Sequence, residues 1–492
     1  MGRKSQSKQG SKKNAGKEIS KFFQQKRKDL GILNSKLLKL TSTFHGSPNA
    51  NKTWEDHLEI DTVLKEIKNI ETVLCKNNSK PRQQNIENYL EWLKQNGAQF
   101  DGVEISEFEG YEMGLKATKD FTEGSLVLTV PSKIMMTERD AQKSELAPLI
   151  AVDPLLQNMP NIMLALFLLL EKYNPESFWK PYIDMLPEKY STVLYFTDSE
   201  LSELKPSPVF ESSLKLFRSI ARQYAYFYNK IHTMDSPVLK KLEDIFTFEN
   251  YRWAVSTVMT RQNNIQLEDS DVTAFIPLWD MCNHEHGKIT TDFNKEKQRG
   301  ECFALRDFKN GEQIFIFYGY RPNSDLFLHN GFVPPHNPHD SLSMPLRVSA
   351  ADPLRAARAA LLGKLGLAAA THHSLYAGGE PVSAEMLAFV RINTMDADEL
   401  SKWCDSNLPA DLVSSDPTSS QSVGTTIDRK AYNYLRTRCQ LIRRGYKDME
   451  DVGGNLHRKN VKLLKESEVQ ILENAIRYLD DILQKLPANK TA

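Results

Sequence analysis

The stretch Leu278-Trp279-Asp280-Met281-Cys282-Asn283-His284 is followed downstream by Gly311-Glu312-Gln313-Ile314-Phe315-Ile316-Phe317-Tyr318-Gly319. The first segment enters from apolar residues and closes on a polar pair. Asn283 offers a donor and acceptors to a bound molecule, and His284 offers two ring nitrogens. The second segment has the composition of a short strand that ends in Tyr-Gly. Taken alone, Asp280 to His284 reads equally well as a polar turn after a strand. Cys282, His284 and His286 also make a short Cys-x-His-x-His string, but no second ligand pair with zinc spacing follows it. No metal is expected.

Composition bounds what surrounds these segments. At 492 residues the chain exceeds one ordinary core, so two or three domains are expected. Lys+Arg and Asp+Glu both number 63, which gives the whole molecule no electrostatic case for nucleic acid. Residues 1–30 are locally basic, from Arg3 to Lys28 against Glu18 and Asp29, and read as a solvated, disordered tail. Met1-Gly2 begins like a myristoylation site, yet Gln6 stands where Ser or Thr is required. The run Ile162 to Leu170 is half a membrane span, and no apolar segment follows the basic start as a signal peptide would. The five cysteines (Cys75, Cys282, Cys302, Cys404 and Cys439) are odd in number and scattered, which fits reduced thiols. A soluble monomer of the cytoplasm, extending to the nucleus, is expected, with no membrane or nucleic-acid partner.

Outward from the two segments, the pattern alternates between helix and strand. Ile60, Val63, Leu64, Ile67, Ile70 and Leu74 mark one helical face, broken by Asn77 to Pro81. A helix over roughly Glu87 to Asn96 stops at Gly97, and strands follow at Val103–Ile105, Gly114–Thr118 and Ser125–Val130. Lys133 to about Thr247 is helical, and its nearly apolar Asn161–Lys172 predicts a helix buried all round. The cluster Tyr224-Ala225-Tyr226-Phe227-Tyr228 is expected to pack rather than to stack on bases. Strands return from Thr273 to about Phe332. Beyond Pro334, helices are expected over Ala350–Leu365, Ser383–Asn393 and Glu466–Leu486, with a flexible loop near 406–427.

The two quoted segments resemble the paired signatures of the SET-domain methyltransferases. That resemblance implies an α+β fold with a β-rich SET core closed by a pseudoknot. A helical insertion splits the core, and a C-terminal all-helical substrate-binding domain follows. The implied organisation is a tail over 1–50, a helical region over 51–100, core over 101–132 and 248–335, the insertion over 133–247, and the substrate-binding domain over 336–492. Ser256 to Asn263, Ile276 to His284, Tyr318 to Arg321, Asn330 to Phe332, Arg222 to Tyr228 and Ser177 to Tyr182 narrow the likeness. They are similar to the SET enzymes that methylate a histidine of actin, over roughly residues 50 to 400.

The resemblance implies S-adenosylmethionine as methyl donor, with Arg82, Arg261, Asp280, Met281, Cys282, Asn283, His284, Asn330, Gly331 and Phe332 around it. It implies that Asn263 hydrogen-bonds the target imidazole, that Tyr318 lies beside the transferred methyl, and that Trp279 and Arg321 belong to the peptide face. The donor loop departs from the family pattern. An ungapped alignment places Tyr111, Glu112 and Met113 there, whereas Glu109-Gly110-Tyr111 is the alternative match with Glu112-Met113 inserted. Two other functions compete with a histidine methyltransferase: a lysine methyltransferase of the same class, and a non-catalytic actin-binding scaffold. Asn263 separates the first pair, because an imidazole has a second nitrogen that needs a hydrogen-bond partner and an alkyl ammonium stem does not.

Overall fold

The computed structural model describes residues 6–42, 50–74, 82–267, 270–404, 409–413, 425–449 and 453–487. The expected breaker at Asn77–Pro81 and most of the expected loop at 406–427 lie outside them. Two compact units are formed. One comprises the described residues up to Tyr190 together with Ser213–Gly319, and the other Ser191–Ser212 together with the chain from Tyr320 onward.

The first unit carries most of the strands. β1 (Val103–Phe108) and β2 (Glu112–Ala117) form a hairpin, and β3 is Leu126–Pro131. After β4 (Met136–Thr137) the chain is helical until β5 (Asn263–Leu267) and β6 (Ser270–Phe275). β7 (Asn283–His284), β8 (Thr291–Asn294), β9 (Arg299–Phe303) and β10 (Gln313–Ile316) complete three small sheets, ordered β1-β2-β10-β7, β3-β9-β8 and β4-β6-β5. One pairing decides the architecture. β7 and β10 run parallel, with Phe315 opposite Asn283 and Ile316 opposite His284, so the two signature segments lie side by side.

Helices wrap these sheets for reasons visible in their residues. Pro160–Tyr173 opens on a proline at its first turn, and Ile162 to Leu170 are all buried. Ile86–Gln95 buries Tyr89, Trp92 and Leu93 on one face. It ends where Gly97 takes φ +87° and the Gly97 and Ala98 N–H groups return to the Lys94 and Leu93 carbonyls. Tyr224, Phe227 and Tyr228 are buried among Phe246, Phe248 and Tyr251, so that cluster is packing.

The N-terminal segment differs from expectation. Gln6–Ser42 is one helix rather than a disordered tail. Leu30, Asn34, Leu37 and Thr41 are buried at helical spacing, and the Arg218 guanidinium donates to the Leu40 and Thr41 carbonyls. The polar first half of the segment hid this stripe.

In the second unit, helices Arg355–Lys364, Ala384–Thr394, Thr425–Gly445 and Leu456–Lys485 enclose a core built on Leu361, Met386, Phe389, Leu435, Leu472 and Leu479. This unit also holds an antiparallel strand pair that the sequence pattern missed, β11 (Ser341–Arg347) against β12 (Ala370–Tyr376), with the helix Arg355–Lys364 between them in the chain. Leu342, Met344 and Leu346 do alternate into the core, but Pro345 argues against a central strand, and in a two-stranded sheet both strands are edges.

In each unit one buried glutamate is lifted far above its usual range. Glu71 accepts from the Tyr224 hydroxyl and the Phe248 N–H, and burial pushes its carboxyl up to about 8. Glu468 accepts from the Ser207 and Tyr446 hydroxyls, and burial likewise pushes it up to about 8. The unfolded chain ionises both near 4.5, so between 4.5 and 8 the folded state holds more protons and stability falls as pH rises. Each acid is expected to contribute about 1 kcal/mol per pH unit in that window. Urea midpoints should therefore be higher at pH 6 than at pH 8, and Glu71→Gln or Glu468→Gln should each reduce the difference. An unchanged pH slope in both variants would show that neither acid is protonated in the fold.

Candidate functional site

In the first unit, Tyr318 reaches back across the β7–β10 pairing. Its hydroxyl donates to the Cys282 carbonyl at 2.7 Å, and its backbone N–H donates to His284 Nδ1 at 3.2 Å. The latter contact fixes Nδ1 as an acceptor, so the ring carries its proton on Nε2. The Asn283 side chain donates to the Met113 carbonyl at 3.3 Å and so ties β7 to the start of β2. Gly114 lies against the same amide. A Cβ there would stand 2.9 Å from Asn283 Nδ2 and 2.5 Å from Gln313 Nε2, so any larger residue must push both side-chain amides aside.

The hairpin bears on the two readings of the donor loop. Phe108 pairs with Glu112, which leaves Glu109-Gly110-Tyr111 as the turn, with Gly110 at φ +81° and Glu112 at φ +58°. Met113 meets Asn283 through its backbone, and Glu112 Oε2 lies 3.7 Å from Arg82 Nη1. Tyr111 is half exposed at the tip, its ring edge against Phe315. Glu112 and Met113 thus touch the other candidate residues, while Tyr111 lies at the outer end.

Arg82 and Arg261 are close enough to depress one another's charge. Burial and then Arg261 outweigh the opposing Glu112 charge at Arg82, which is held below its usual range. Burial opposes the Arg261 charge too, but Asp280 and the Tyr190 and Tyr182 hydroxyls outweigh it, and Arg261 remains a cation. Its Nη1 donates to the Asp280 carbonyl at 2.8 Å and lies 3.4 Å from Asp280 Oδ2. Asp280 is fully enclosed. Burial lifts its carboxyl, the Arg261 charge offsets part of that, and the Tyr182 hydroxyl donates to Oδ2 at 2.6 Å. Arg261 Nε and Asp280 Oδ1 are buried without a partner among the described residues. Asp280 inside and the exposed Glu112 outside face these two guanidiniums, and the partnerless Arg261 Nε is where a ligand carboxylate would find a further donor.

Asn263 opens β5 directly after the helix Phe248–Arg261, and its Nδ2 donates to the Arg261 carbonyl at 3.1 Å. That commits the amide nitrogen and leaves Oδ1 as an acceptor. Trp279 stands differently from expectation. It is buried, and its six-membered ring packs on Gly300, whose Cβ would lie 3.1 Å away, with Met135 alongside. The side chains of Asp280, Met281 and Cys282 are buried as well, so this segment offers backbone groups outward, and only Asn283 and His284 offer partly open side chains. Sequence reasoning missed Gly114, Gln313, Tyr182 and Tyr190 as supports. A strand glycine placed among polar residues was the available signal for the first.

Arg321, Asn330, Gly331 and Phe332 belong to the second unit and are ordered within it. The Arg321 guanidinium donates to Asp325 and, at 2.8 Å, to Asn330 Oδ1. Leu326–Asn330 is a single π turn closed by Gly331 at φ +79°. The Gly331 carbonyl accepts from Ser191 Oγ and Asn460 Nδ2, both at 2.8 Å, and a Cβ would strike the Ser191 carbonyl carbon at 2.7 Å.

Donor binding is expected to depend on the Asn283–Gly114 contact. Asn283→Ala loses one or two hydrogen bonds of about 1 kcal/mol each, so S-adenosylhomocysteine should bind about fivefold more weakly or worse to a folded variant. Gly114→Ala, which forces the same amide aside, should match it. Calorimetric affinities within twofold of the unsubstituted protein would remove this contact from the site.

Residues 112–319 match the SET domain family, and residues 349–480 match the Rubisco LSMT substrate-binding family. Among the described residues, no group of His, Cys, Asp or Glu could hold a metal ion, and no helix is long and apolar enough to cross a membrane. The actin-histidine N-methyltransferase of Xenopus tropicalis is 39% identical over 92% of this chain and 79% of its own. That of Danio rerio is 39% identical over 91% and 77%, and that of Homo sapiens 38% over 92% and 77%. In fold, the chain is similar to Rubisco LSMT bound to AdoMet, with a TM-score of 0.65 at 18% identity over 83% of this chain and 93% of that one. It is also similar to Rubisco LSMT bound to sinefungin and monomethyllysine, with a TM-score of 0.67 over 82% and 94%.

Proposed function

This chain belongs to the family of the actin-histidine N-methyltransferases, and on that premise we propose that it transfers a methyl group from S-adenosylmethionine to the tele nitrogen of a histidine in actin. The single observation that carries histidine over lysine is the Asn263 amide, pinned by its nitrogen to the Arg261 carbonyl so that its oxygen is the free face. Bound S-adenosylmethionine supplies an electrophilic methyl carbon. Arg82 and Arg261 hold the donor's carboxylate, and the Asn283 and Met113 groups orient it. Asn263 Oδ1 accepts from the distal ring N–H of the target and so turns the unprotonated nitrogen towards the methyl. No general base is needed before attack, because a histidine of ordinary pKa near 6.5 is largely neutral at physiological pH, whereas a lysine near 10.4 is not. The Tyr318 proton is committed to the Cys282 carbonyl, so its hydroxyl presents lone pairs rather than a proton. Because actin is the proposed substrate, we propose that the enzyme acts in the cytoplasm, extending to the nucleus.

Mass spectrometry of actin incubated with this protein and isotopically labelled donor tests the proposal, with one labelled methyl expected on a histidine. Label on lysine alone, or none, would overturn it. On a peptide carrying the target, Asn263→Ala should lower kcat about 10- to 100-fold with donor affinity little changed, since one orienting hydrogen bond is lost. The rate should also fall below about pH 6.5 as the target protonates. Wild-type activity in Asn263→Ala would remove the amide from this role.

A further inference from the structure

The backbone entering the donor segment is held in a conformation that leucine does not choose. Leu278 has φ +68° and ψ −49°, and the Trp279 N–H donates to the Pro277 carbonyl at 2.9 Å. An i to i+2 hydrogen bond around a central residue at these angles is the strained, positive-φ form of the γ-turn. Leu278 is fully buried and has no side-chain means of favouring the left-handed region. Strain of this kind persists only where its surroundings over-determine it.

Tyr89 supplies the surroundings. It lies on the helix Ile86–Gln95, fully buried, and its hydroxyl accepts the Leu278 N–H at 2.6 Å. Two residues on, the Tyr182 hydroxyl grips the Asp280 carboxylate at 2.6 Å, and the rings of Tyr89 and Tyr182 lie 6.4 Å apart. The turn then feeds a short 3-10 helix, with the Met281 and Cys282 N–H groups returning to the Leu278 and Trp279 carbonyls. From there the chain passes into Asn283 and His284. One hydroxyl before Trp279 and one after it thus hold this turn where the donor segment leaves it.

We propose that Tyr89 is a positioning residue for the methyl-transfer site, clamping the Pro277–Trp279 γ-turn so that the Asp280–His284 segment is presented to the donor. This rests on the donor-site assignment given above. Without the hydroxyl, the Leu278 N–H loses its buried acceptor and the turn is free to relax. Donor then meets a site whose competent conformation is only fractionally populated, and its apparent affinity drops by that fraction.

The test compares Tyr89→Phe with Tyr251→Phe in the full chain. Tyr251 is equally buried and its hydroxyl donates to Gln223 Oε1 at 2.9 Å, so its loss reports the general cost of a buried tyrosine hydroxyl. S-adenosylhomocysteine is titrated calorimetrically, and KM for the donor and kcat are measured on an actin peptide. Tyr89→Phe should bind roughly tenfold more weakly and raise the donor KM to match, with kcat at saturating donor near wild type. Tyr251→Phe should bind as wild type does. Leu278→Gly added to Tyr89→Phe should regain donor affinity while lowering Tm, because glycine accepts the positive φ but leaves a cavity. Donor affinity of Tyr89→Phe within twofold of wild type, an equal loss in Tyr251→Phe, or an unfolded Tyr89→Phe beside a folded Tyr251→Phe would each overturn the positioning role. Absence of S-adenosylhomocysteine binding by the unsubstituted protein would instead sink the donor-site assignment, and this proposal with it.

Discussion

Replacing Arg261 with methionine is expected to abolish donor binding and to destabilise the fold by about 3–5 kcal/mol, because it strands a buried carboxylate. Asp280 is enclosed on all sides, and after the substitution the Tyr182 hydroxyl would be its principal remaining partner. The stranded acid has one escape, which is to bind a proton. Burial already lifts its pKa, and removing the guanidinium lifts it further, so the folded variant holds a proton that the unfolded chain releases. Stability of Arg261→Met should therefore fall more steeply with rising pH than that of the wild type. Adding Asp280→Asn removes the stranded charge, and the double variant should regain most of the lost stability without regaining donor affinity. Denaturant midpoints at pH 6 and 8, alongside calorimetric titration of S-adenosylhomocysteine, separate the two effects. Restored donor binding in the double variant would show that Arg261 serves the fold alone.

Tyr318→Phe is expected to lower kcat about 100-fold or more while leaving donor affinity within a few-fold, the loss typical of a single preorganised polar group at a reacting centre. The ring and the backbone N–H to His284 survive this change, so the β7–β10 pairing should stand. What is lost is an oxygen whose proton is tied to the Cys282 carbonyl and whose lone pairs are fixed in direction. Single-turnover methylation of the histidine peptide at saturating donor is the relevant measurement. A rate within threefold of the wild type would place the hydroxyl outside the reaction.

Much of this was written locally. Asn283-His284 and Tyr318-Gly319 named the family, the apolar run Ile162 to Leu170 named a buried helix, and Gly97 marked a helix end. Each is a short-range statement, in which a residue type meets a period or a required φ. The sequence also located Asn263 by its place in Ser256–Asn263, although nothing local shows that its nitrogen is spent on the Arg261 carbonyl.

Other features needed the whole fold. Leu278 carries no signal for a positive φ, and leucine disfavours it; the tyrosine that holds it stands on another helix, far away in sequence. Trp279, expected on a substrate face, is buried with its ring against Gly300 of β9, a neighbour that only the fold brings to it. The helix Gln6–Ser42 was obscured because its apolar stripe is confined to its second half, where the partners that bury it come from elsewhere in the first unit. The β11–β12 pair went unseen because β12 lacks clean alternation and β11 contains Pro345. By itself, then, the sequence determined the family, the order of elements within the SET core and the residue types of the site, all of which depend on neighbours along the chain. The tertiary structure alone decided which of those residues face outward, which are spent as supports, and where the backbone is strained, because each depends on groups brought together from distant positions.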